Sequence, residues 1–495
     1  MVRQRSNTSL TLSFKSQPPI RFRGTVMDPK LEALFKPRSI AVVGASRKPG
    51  KIGFEILRNI IEYGFKGKVY PVNPKAKEIL GLKVYPSLSA VPEDIDMVVV
   101  SVPAQYVLDV IDEAGKKNAK VAVVITSGFK EIGRADLEEE LVRRARKWGI
   151  RVLGPNIFGM IYTPARLNAS FGPTDVIPGS VAFITQSGAL GIALMGMTIV
   201  ERIGVSAIIS IGNKADIDDA DLLEYLADDP NTKVILIYLE GVTDGRKFLK
   251  VAQKVALKKP IIVVKAGRTE AGAKAVASHT GSLAGNVVIY STLFRQTGIL
   301  QARNIEEAFD WARAFSYLPE YKGGKLVLVT NGGGAGVLST DTLSENGVKL
   351  EPPPKSLVDA LKPKLPGFAS LGNPIDVTGM ISNEGFVDAV MEALNNPEVG
   401  AVMGIYCQTA VTDPTVIASM LVRKIKAMGG LPKPLVLTLI GGEECYWAVT
   451  KLNSAKIPTY PMPERAASTI AAIINYARMK GEVKRRLSEL GEVSD

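Results

Sequence analysis

The stretch Ser180-Val181-Ala182-Phe183-Ile184-Thr185-Gln186-Ser187-Gly188-Ala189-Leu190-Gly191 decides the fold. A short apolar run passes through a polar-glycine turn into a helix start. A continuous apolar run is the mark of a strand buried on both faces, as in a parallel sheet covered by helices. The pattern returns further along. Gly324-Lys325-Leu326-Val327-Leu328-Val329-Thr330-Asn331-Gly332-Gly333-Gly334-Ala335-Gly336 lies over Gly179 to Gly191 without a gap. Four further echoes keep the same order. Gly372-Asn373-Pro374-Ile375-Asp376 echoes Gly212-Asn213-Lys214-Ala215-Asp216, and Asn395-Asn396-Pro397 echoes Asp228-Asp229-Pro230. Val402 to Gln408 echoes Val234 to Glu240, and Lys433-Pro434-Leu435-Val436 echoes Lys259-Pro260-Ile261-Ile262. The order predicts an internal duplication of a doubly wound, flavodoxin-like α/β unit.

Upstream of the duplication, apolar strands again alternate with helix-like segments. Ser39-Ile40-Ala41-Val42-Val43-Gly44, Lys68-Val69-Tyr70-Pro71-Val72-Asn73-Pro74, Met97-Val98-Val99-Val100-Ser101-Val102-Pro103 and Val121-Ala122-Val123-Val124-Ile125-Thr126-Ser127-Gly128 are the expected strands of a Rossmann-like unit. Ligands of such sheets bind outside the carboxyl ends of the strands. Those ends are Gly44-Ala45-Ser46, Asn73-Pro74-Lys75, Ser101-Val102-Pro103 and Thr126-Ser127-Gly128. A dinucleotide fingerprint needs G-x-G-x-x-G and a ribose-binding acid about 20 residues on. Gly44, Gly50 and Gly53 are spaced wrongly for it, and the second strand ends at Lys75. This speaks against an NAD-linked dehydrogenase. The Walker pattern fails as well, because Ile52 follows Lys51 where Ser or Thr is required. What remains is a glycine turn at a helix N-terminus that suits a phosphate; a tight structural turn explains the same glycines equally well.

The expected boundaries are a basic tail at 1–27, the Rossmann-like unit at 28–155, the second unit at 156–318, its copy at 319–480 and a tail at 481–495. The first 27 residues carry five basic residues and no acid, and lack the apolar core of a secretory signal. They read as a disordered tail, an organellar presequence, or a start placed too early, with Met27-Asp28-Pro29 opening the globular pattern. No apolar run reaches the ~18 residues of a bilayer span. The net charge of +12 suits polyanionic small ligands, and without aromatic-basic interleaving nothing points to nucleic acid. Cys407 and Cys445 stand alone, which fits a reducing, cytoplasmic compartment and, with a single histidine, leaves no metal site.

That histidine, His279, follows the apolar strand Pro260-Ile261-Ile262-Val263-Val264-Lys265-Ala266-Gly267. Only the first copy of the duplicated unit contains it, and only that copy has Glu240, against Gln408 in the second. A scaffold that occurs twice separates structure from chemistry, so His279 reads as a nucleophile and Glu240 as the carboxylate that accepts its other N–H. The plainer readings of Glu240 are a solvated strand-end acid or a cap on the next helix. The small residues from Ala271 to Ala277 are expected to form a loop that swings. A phosphoryl group on the imidazole would need neutralising. Two helix N-termini are available for that, at Ser187-Gly188 and at Gly333-Gly334; for the second pair, a glycine turn that serves only the fold is an equally good account.

The segments Ser278-His279-Thr280-Gly281-Ser282-Leu283-Ala284-Gly285, Tyr238-Leu239-Glu240 and Ile184-Thr185-Gln186-Ser187-Gly188 resemble the alpha subunit of ADP-forming acyl-CoA (acetate–CoA) synthetases, kin of the succinyl-CoA synthetase alpha subunit. The resemblance runs over about residues 28–480. It implies a transiently phosphorylated His279, its pairing with Glu240, and a phosphate-facing helix at Ser187-Gly188, with Gly333-Gly334 supplying a second. It implies a CoA-binding first unit, with CoA against Ser46, Lys51, Ile52, Lys75, Ser101, Val102, Pro103, Thr126, Ser127 and Gly128. It implies CoA, phosphate and a small carboxylic acid as substrates. ADP or ATP with Mg would sit on an ATP-grasp beta subunit, in an alpha2-beta2 heterotetramer. Two departures from succinyl-CoA synthetases, Ser127 in place of Glu and Ile192 in place of Tyr, suggest an acid other than succinate. The competing expectation is a regulatory protein that senses CoA or nucleotide on the same fold.

Overall fold

The computed structural model describes residues 28–280 and 287–491; the side chains of 277–280, and the expected tail at 1–27, lie outside that description. Three large sheets follow one another along the chain, and a two-stranded ribbon of Glu78–Ile79 and Leu82–Lys83 lies between strands of the first in sequence.

The first sheet holds β1 (Ser39–Val43), β2 (Lys68–Val72), β3 (Met97–Val100), β4 (Val121–Val124) and β5 (Arg151–Leu153), in the order β2-β1-β3-β4-β5 and all parallel. Helices α1 (Ile52–Glu62), α2 (Ala104–Lys116) and α3 (Ala135–Trp148) connect them. Every side chain of β1, β3 and β4 is buried. Burial of a Val or Ile contributes about 1.5–3 kcal/mol, against at most about 1 for an exposed ion pair, so the apolar strands hold this sheet.

The second sheet contains β6 (Gly159–Tyr162), β7 (Leu167–Ser170), β8 (Pro178–Thr185), β9 (Val205–Ser210), β10 (Val234–Leu239), β11 (Ile261–Lys265) and β12 (Leu300–Ala302). Its order is β12-β11-β10-β8-β9-β6-β7. The last two are antiparallel, an edge that the expected run of parallel strands did not include. Helices α4 (Gly188–Val200), α5 (Asp219–Asp228), α6 (Gly245–Lys258), α7 (Glu270–Thr280), α8 (Val287–Thr297) and α9 (Ile305–Tyr317) complete the unit. The expected swinging loop from Ala271 to Ala277 is therefore helical, as part of α7. Ala, Glu and Lys are strong helix formers, and they outweigh the single Gly272.

The third sheet holds β13 (Lys325–Thr330), β14 (Ile375–Asp376), β15 (Val399–Cys407), β16 (Leu435–Ile440) and β17 (Thr459–Tyr460), in the order β14-β13-β15-β16-β17. Its helices are α10 (Gly333–Glu345), α11 (Lys355–Leu361), α12 (Asn383–Asn395), α13 (Pro414–Ala427), α14 (Glu443–Ser454) and α15 (Pro463–Glu489). Residues 481–489, expected as part of a tail, continue α15. Val483 and Leu487 are buried on it, and their burial carries the helix past the expected boundary.

The ladders correct two of the sequence echoes. Thr185 pairs with Tyr238 and Thr330 pairs with Ile405, so Tyr238 corresponds to Ile405 and Glu240 to Cys407, one residue from the expected Gln408. The faces agree: Val234, Leu236 and Tyr238 pack on one side of their sheet, as do Ala401, Met403 and Ile405 on theirs. A slip of one residue would turn every side chain to the opposite face. The Gly-Asn-x-x-Asp echo also fails, because Gly212–Asp216 follows β9 while Gly372-Asn373-Pro374 precedes β14. The duplication itself stands, with the same strand order around β8 and β13.

Candidate active site

Three parallel strands of the second sheet end side by side: β8 at Thr185, β10 at Leu239 and β11 at Lys265. The turn after β8 is fixed locally. Thr185 Oγ1 accepts from the Ser187 amide at 3.2 Å, and Ser187 caps α4 by accepting from the Leu190 amide at 3.4 Å. Gly191 lets α4 lie close to the strand, since a β-carbon there would fall 2.5 Å from the Phe158 ring. Ser187 and Gly188 thus stand at the amino end of a helix, where backbone N–H groups favour an anion.

Glu240 is 4% exposed at the exit of β10. Its backbone is held by side chains. Gln186 Oε1 accepts from the Glu240 amide at 2.5 Å and the Gly241 amide at 3.1 Å. Lys265 Nζ donates to the Glu240 carbonyl at 2.7 Å and the Ala266 carbonyl at 2.5 Å. Lys214 Nζ donates to the Gly241 carbonyl at 2.5 Å and to Asp219 Oδ2 at 2.8 Å. Burial pushes the Lys265 ammonium down to about 8, partly offset by the charge of Glu240 and reinforced by Lys214. The Lys265 ammonium also lies 4.5 Å from the centre of the Tyr290 ring, and the Tyr290 hydroxyl accepts from the Val242 amide at 3.0 Å.

His279 belongs to α7, the element after β11. Its side chain falls outside the described residues, and so do residues 281–285 of the motif. Lys214, Lys265 and Gln186 were missed as candidate site residues. The copy-to-copy comparison that singled out Glu240 contained the signal for Lys265, because the counterpart of Lys265 is Leu439, paired to Tyr406 as Lys265 is to Leu239. No lysine occurs from Val377 to Ser382 after β14, the position that Lys214 takes after β9.

The third sheet repeats the turn without these groups. Thr330 Oγ1 accepts from the Gly332 amide at 3.0 Å. Asn331, in the place of Gln186, takes both backbone groups of Cys407, at 2.7 Å and 2.9 Å. Gln408 instead accepts from the Gly442 amide at 2.8 Å at the start of α14. Gly333 and Gly334 begin α10 as expected residues of a helix start, and Asp376 Oδ2 lies 3.1 Å from the place of a Gly333 β-carbon. A carboxylate of the chain itself thus sits at that helix end.

The candidate CoA residues gather along one edge of the first sheet. Gly44 follows β1 at φ +93°, and a β-carbon on Gly53 would fall 2.0 Å from the Gly44 carbonyl oxygen, so both must be glycine for α1 to pack this close. Ser46 Oγ accepts from the Lys48 amide at 3.1 Å, while Lys51 is the N-cap of α1 and Ile52 is 47% exposed. Asn73 donates to the Ala45 carbonyl at 2.7 Å and accepts from the Lys75 amide at 2.7 Å, tying the turns after β1 and β2 together. Ser101 Oγ donates to the Val43 carbonyl at 3.1 Å, and Thr126 Oγ1 to the Val102 carbonyl at 2.7 Å. Pro103 is the N-cap of α2, exposed Ser127 follows Thr126, and the Gly128 amide donates to Glu131 at 2.5 Å. Arg47 and Lys48 are exposed on the same turn and add charge that the sequence reading did not count.

The two edges meet through one loop. Asn213 donates to Glu131 at 2.6 Å and to Glu138 at 2.8 Å, and its neighbour Lys214 reaches Gly241. Arg151 anchors the same loop, donating to Asp216 at 2.8 Å. Among the described residues no group of three His, Cys, Asp or Glu could hold a metal ion, and no helix is long and apolar enough to cross a membrane.

Comparison with known proteins follows the three sheets. A CoA binding domain model matches residues 38–163, a succinyl-CoA ligase like flavodoxin domain matches 178–315, and a Ligase-CoA domain matches 326–484. The chain is 53% identical to the alpha subunit of acetate–CoA ligase [ADP-forming] I of Pyrococcus furiosus, over 92% of this chain and 100% of that one. It is 39% identical to the acetate–CoA ligase [ADP-forming] of Methanocaldococcus jannaschii, covering 92% of this chain and 64% of that longer one. Among solved structures, the dinucleotide forming acetyl-coenzyme A synthetase 1 of Ca. Korarchaeum cryptofilum, in complex with phosphate and ADP, superimposes with a TM-score of 0.90. It is 57% identical over 92% of this chain and 99% of that chain. The chain therefore belongs to the family of ADP-forming acetate–CoA ligase alpha subunits, built on succinyl-CoA ligase-like domains.

Proposed function

We propose that this chain handles CoA, phosphate and the acyl group in an ADP-forming acyl-CoA synthetase, with acetyl-CoA as the substrate, and passes a phosphoryl group to ADP through His279. The observation that carries this reading is the buried Glu240. It is held between the capped start of α4 and the strand that leads to α7, and the duplicate sheet has no acid there.

A phosphate oxygen attacks the thioester carbonyl, the C–S bond breaks, and CoA leaves as a thiolate that takes up a proton. The acyl phosphate then meets His279. An imidazole nitrogen attacks phosphorus, the bond from phosphorus to the acyl oxygen breaks, and the carboxylate departs. Glu240 accepts the other imidazole N–H, fixing the tautomer and steadying the positive charge as the N–P bond forms. The amino end of α4 at Ser187-Gly188 neutralises the phosphoryl oxygens, and Gly333-Gly334 of α10 serves as a second contact. A β-phosphate oxygen of ADP finally attacks phosphorus, breaking the N–P bond and giving ATP. The ADP and its Mg belong to an ATP-grasp beta subunit in an alpha2-beta2 assembly. CoA lies along the first edge, its phosphates near Lys51 and Lys75 and its thiol end towards Ser101–Pro103 and Thr126–Gly128. The assembly works in the cytoplasm.

The test is labelling with radioactive phosphate in the presence of acetyl-CoA. The wild-type chain yields an acid-labile, base-stable phosphoprotein, and His279→Ala yields none. Label that persists in His279→Ala overturns the assignment. Nothing in the fold or among the relatives favours the regulatory reading.

A further inference from the structure

The Glu240-Gly241 dipeptide has both of its amides and both of its carbonyls bound by side chains. Gln186 takes the two amides, Lys265 the first carbonyl and Lys214 the second. Strand exits are usually held by backbone pairing or by water. Here three polar side chains, two of them lysines less than a tenth exposed, converge on two residues. Burying an ammonium is costly unless it is paired and hydrogen-bonded. Lys214 has Asp219 as its ion partner, at 2.8 Å. The hydrogen bonds of Lys265 go to carbonyls, and the charge that favours its protonated form is that of Glu240.

The duplicate sheet shows that the fold does not need this arrangement. There Asn331 alone holds Cys407, Leu439 stands for Lys265, and the loop after β14 has no lysine. The strands pair in the same register without the clamp. The lysines therefore serve what is peculiar to the first copy, its acid.

We propose that Lys265 and Lys214 are positioning residues for phosphoryl transfer: they fix the backbone that aims the Glu240 carboxylate, and Lys265 sets a positive charge near it. This rests on the reading of Glu240 as the partner of His279. The charged and titratable groups around Lys265 are Glu240 at the exit of β10, Lys214 after β9 and Tyr290 on α8, with Tyr238 of β10 near Glu240 and Asp219 of α5 paired to Lys214. As pH rises through about 8, Lys265 loses its proton and Glu240 loses the adjacent positive charge. The rate of phosphorylation then falls on the alkaline side. An arginine stays charged throughout that range.

The experiment measures phosphohistidine formation by the full chain from acetyl-CoA and radioactive phosphate, against pH, in wild type, Lys265→Met, Lys265→Arg and Lys214→Met. Thermal unfolding is followed in parallel. Loss of aim by about 1 Å costs about 100-fold in rate, so Lys265→Met is expected to lower kcat by that order with KM within about twofold. Lys214→Met is expected to lower kcat in the same way by a smaller factor. Lys265→Arg is expected to recover rate relative to Lys265→Met and to move the alkaline limb upward. A Lys265→Met chain that phosphorylates at the wild-type rate overturns the proposal. So does a loss shared by Lys265→Met and Lys265→Arg that only follows their loss of thermal stability. Absence of label in the wild type overturns the phosphohistidine reading instead, so the two failures are distinct.

Discussion

The second and third sheets are one architecture used twice, and they differ at the place where chemistry would occur. Both have a central strand that ends in threonine, a turn in which that threonine accepts from the amide two residues on, and a helix that begins on glycine. Around this shared turn the second sheet buries Glu240, Lys265 and Lys214, while the third has Cys407, Leu439 and a loop without lysine. The side chain beside the helix start differs as well. In the third sheet, the carboxylate of Asp376 stands beside the first turn of α10. The residue that ends the corresponding strand in the second sheet is the neutral Ser210, which pairs with Thr185 as Asp376 pairs with Thr330. A duplicated scaffold thus separates the groups a doubly wound turn needs for folding from those it carries for chemistry.

The comparison can be broken experimentally, beginning with the group that has no counterpart. His279→Ala is expected to abolish net acyl-CoA-dependent ATP formation by the assembled enzyme, because no other histidine can carry the phosphoryl group; measurable turnover would end the reading. Glu240→Gln removes the charge and keeps an acceptor. A loss of about 10–100-fold in kcat is expected, as for other residues that orient an imidazole, with little change in KM for acetyl-CoA. Equal activity in the variant would return Glu240 to the status of a strand-end acid.

The glycines at the matching helix positions separate packing from chemistry. Gly191→Ala forces a β-carbon to within 2.5 Å of the Phe158 ring and 2.7 Å of Thr185 Cγ2. A cost of about 1–3 kcal/mol in chemical denaturation is expected. Gly336→Ala meets Thr330 Cγ2 at 3.3 Å and Pro374 at 3.4 Å. The gain of about 0.5–1 kcal/mol from replacing a helical glycine offsets that contact, so stability is expected to stay near wild type. Equal costs at the two sites would show that the copies pack alike despite their different neighbours. The smallest effect is expected from Ser187→Gly, which gives the second sheet the glycine cap of the third. The backbone amides of the helix start remain, and a change of N-cap from serine to glycine costs only a few tenths of a kcal/mol, to be read from the same denaturation curves.

Much of this was legible along the chain. The apolar runs of β1, β3, β4, β8 and β13 could be read from composition, because a parallel strand buried on both faces is made mostly of apolar residues. The uniqueness of His279 and the glycine turns were likewise on the surface of the sequence. The register of the echo was not. Aligning Val402 with Val234 matched similar residues and moved every side chain to the opposite face; only the ladder pairing of Thr185 with Tyr238 and of Thr330 with Ile405 corrected it. The segment before His279 was misread as a loop because its small residues suggested mobility, whereas most of them are good helix formers.

The sequence by itself determined the fold class and the duplication, and singled out a lone histidine and a strand-end acid as candidates, since periodicity and repetition are properties of order along the chain. The tertiary structure decided that Gln186, Lys214 and Lys265 meet at Glu240. These residues come from the ends of three different strands. Their convergence depends on the lateral order β11-β10-β8-β9, which the sequence does not state. The strength of the clamp, moreover, comes from burial, because a lysine that reaches a carbonyl matters most where water cannot replace it.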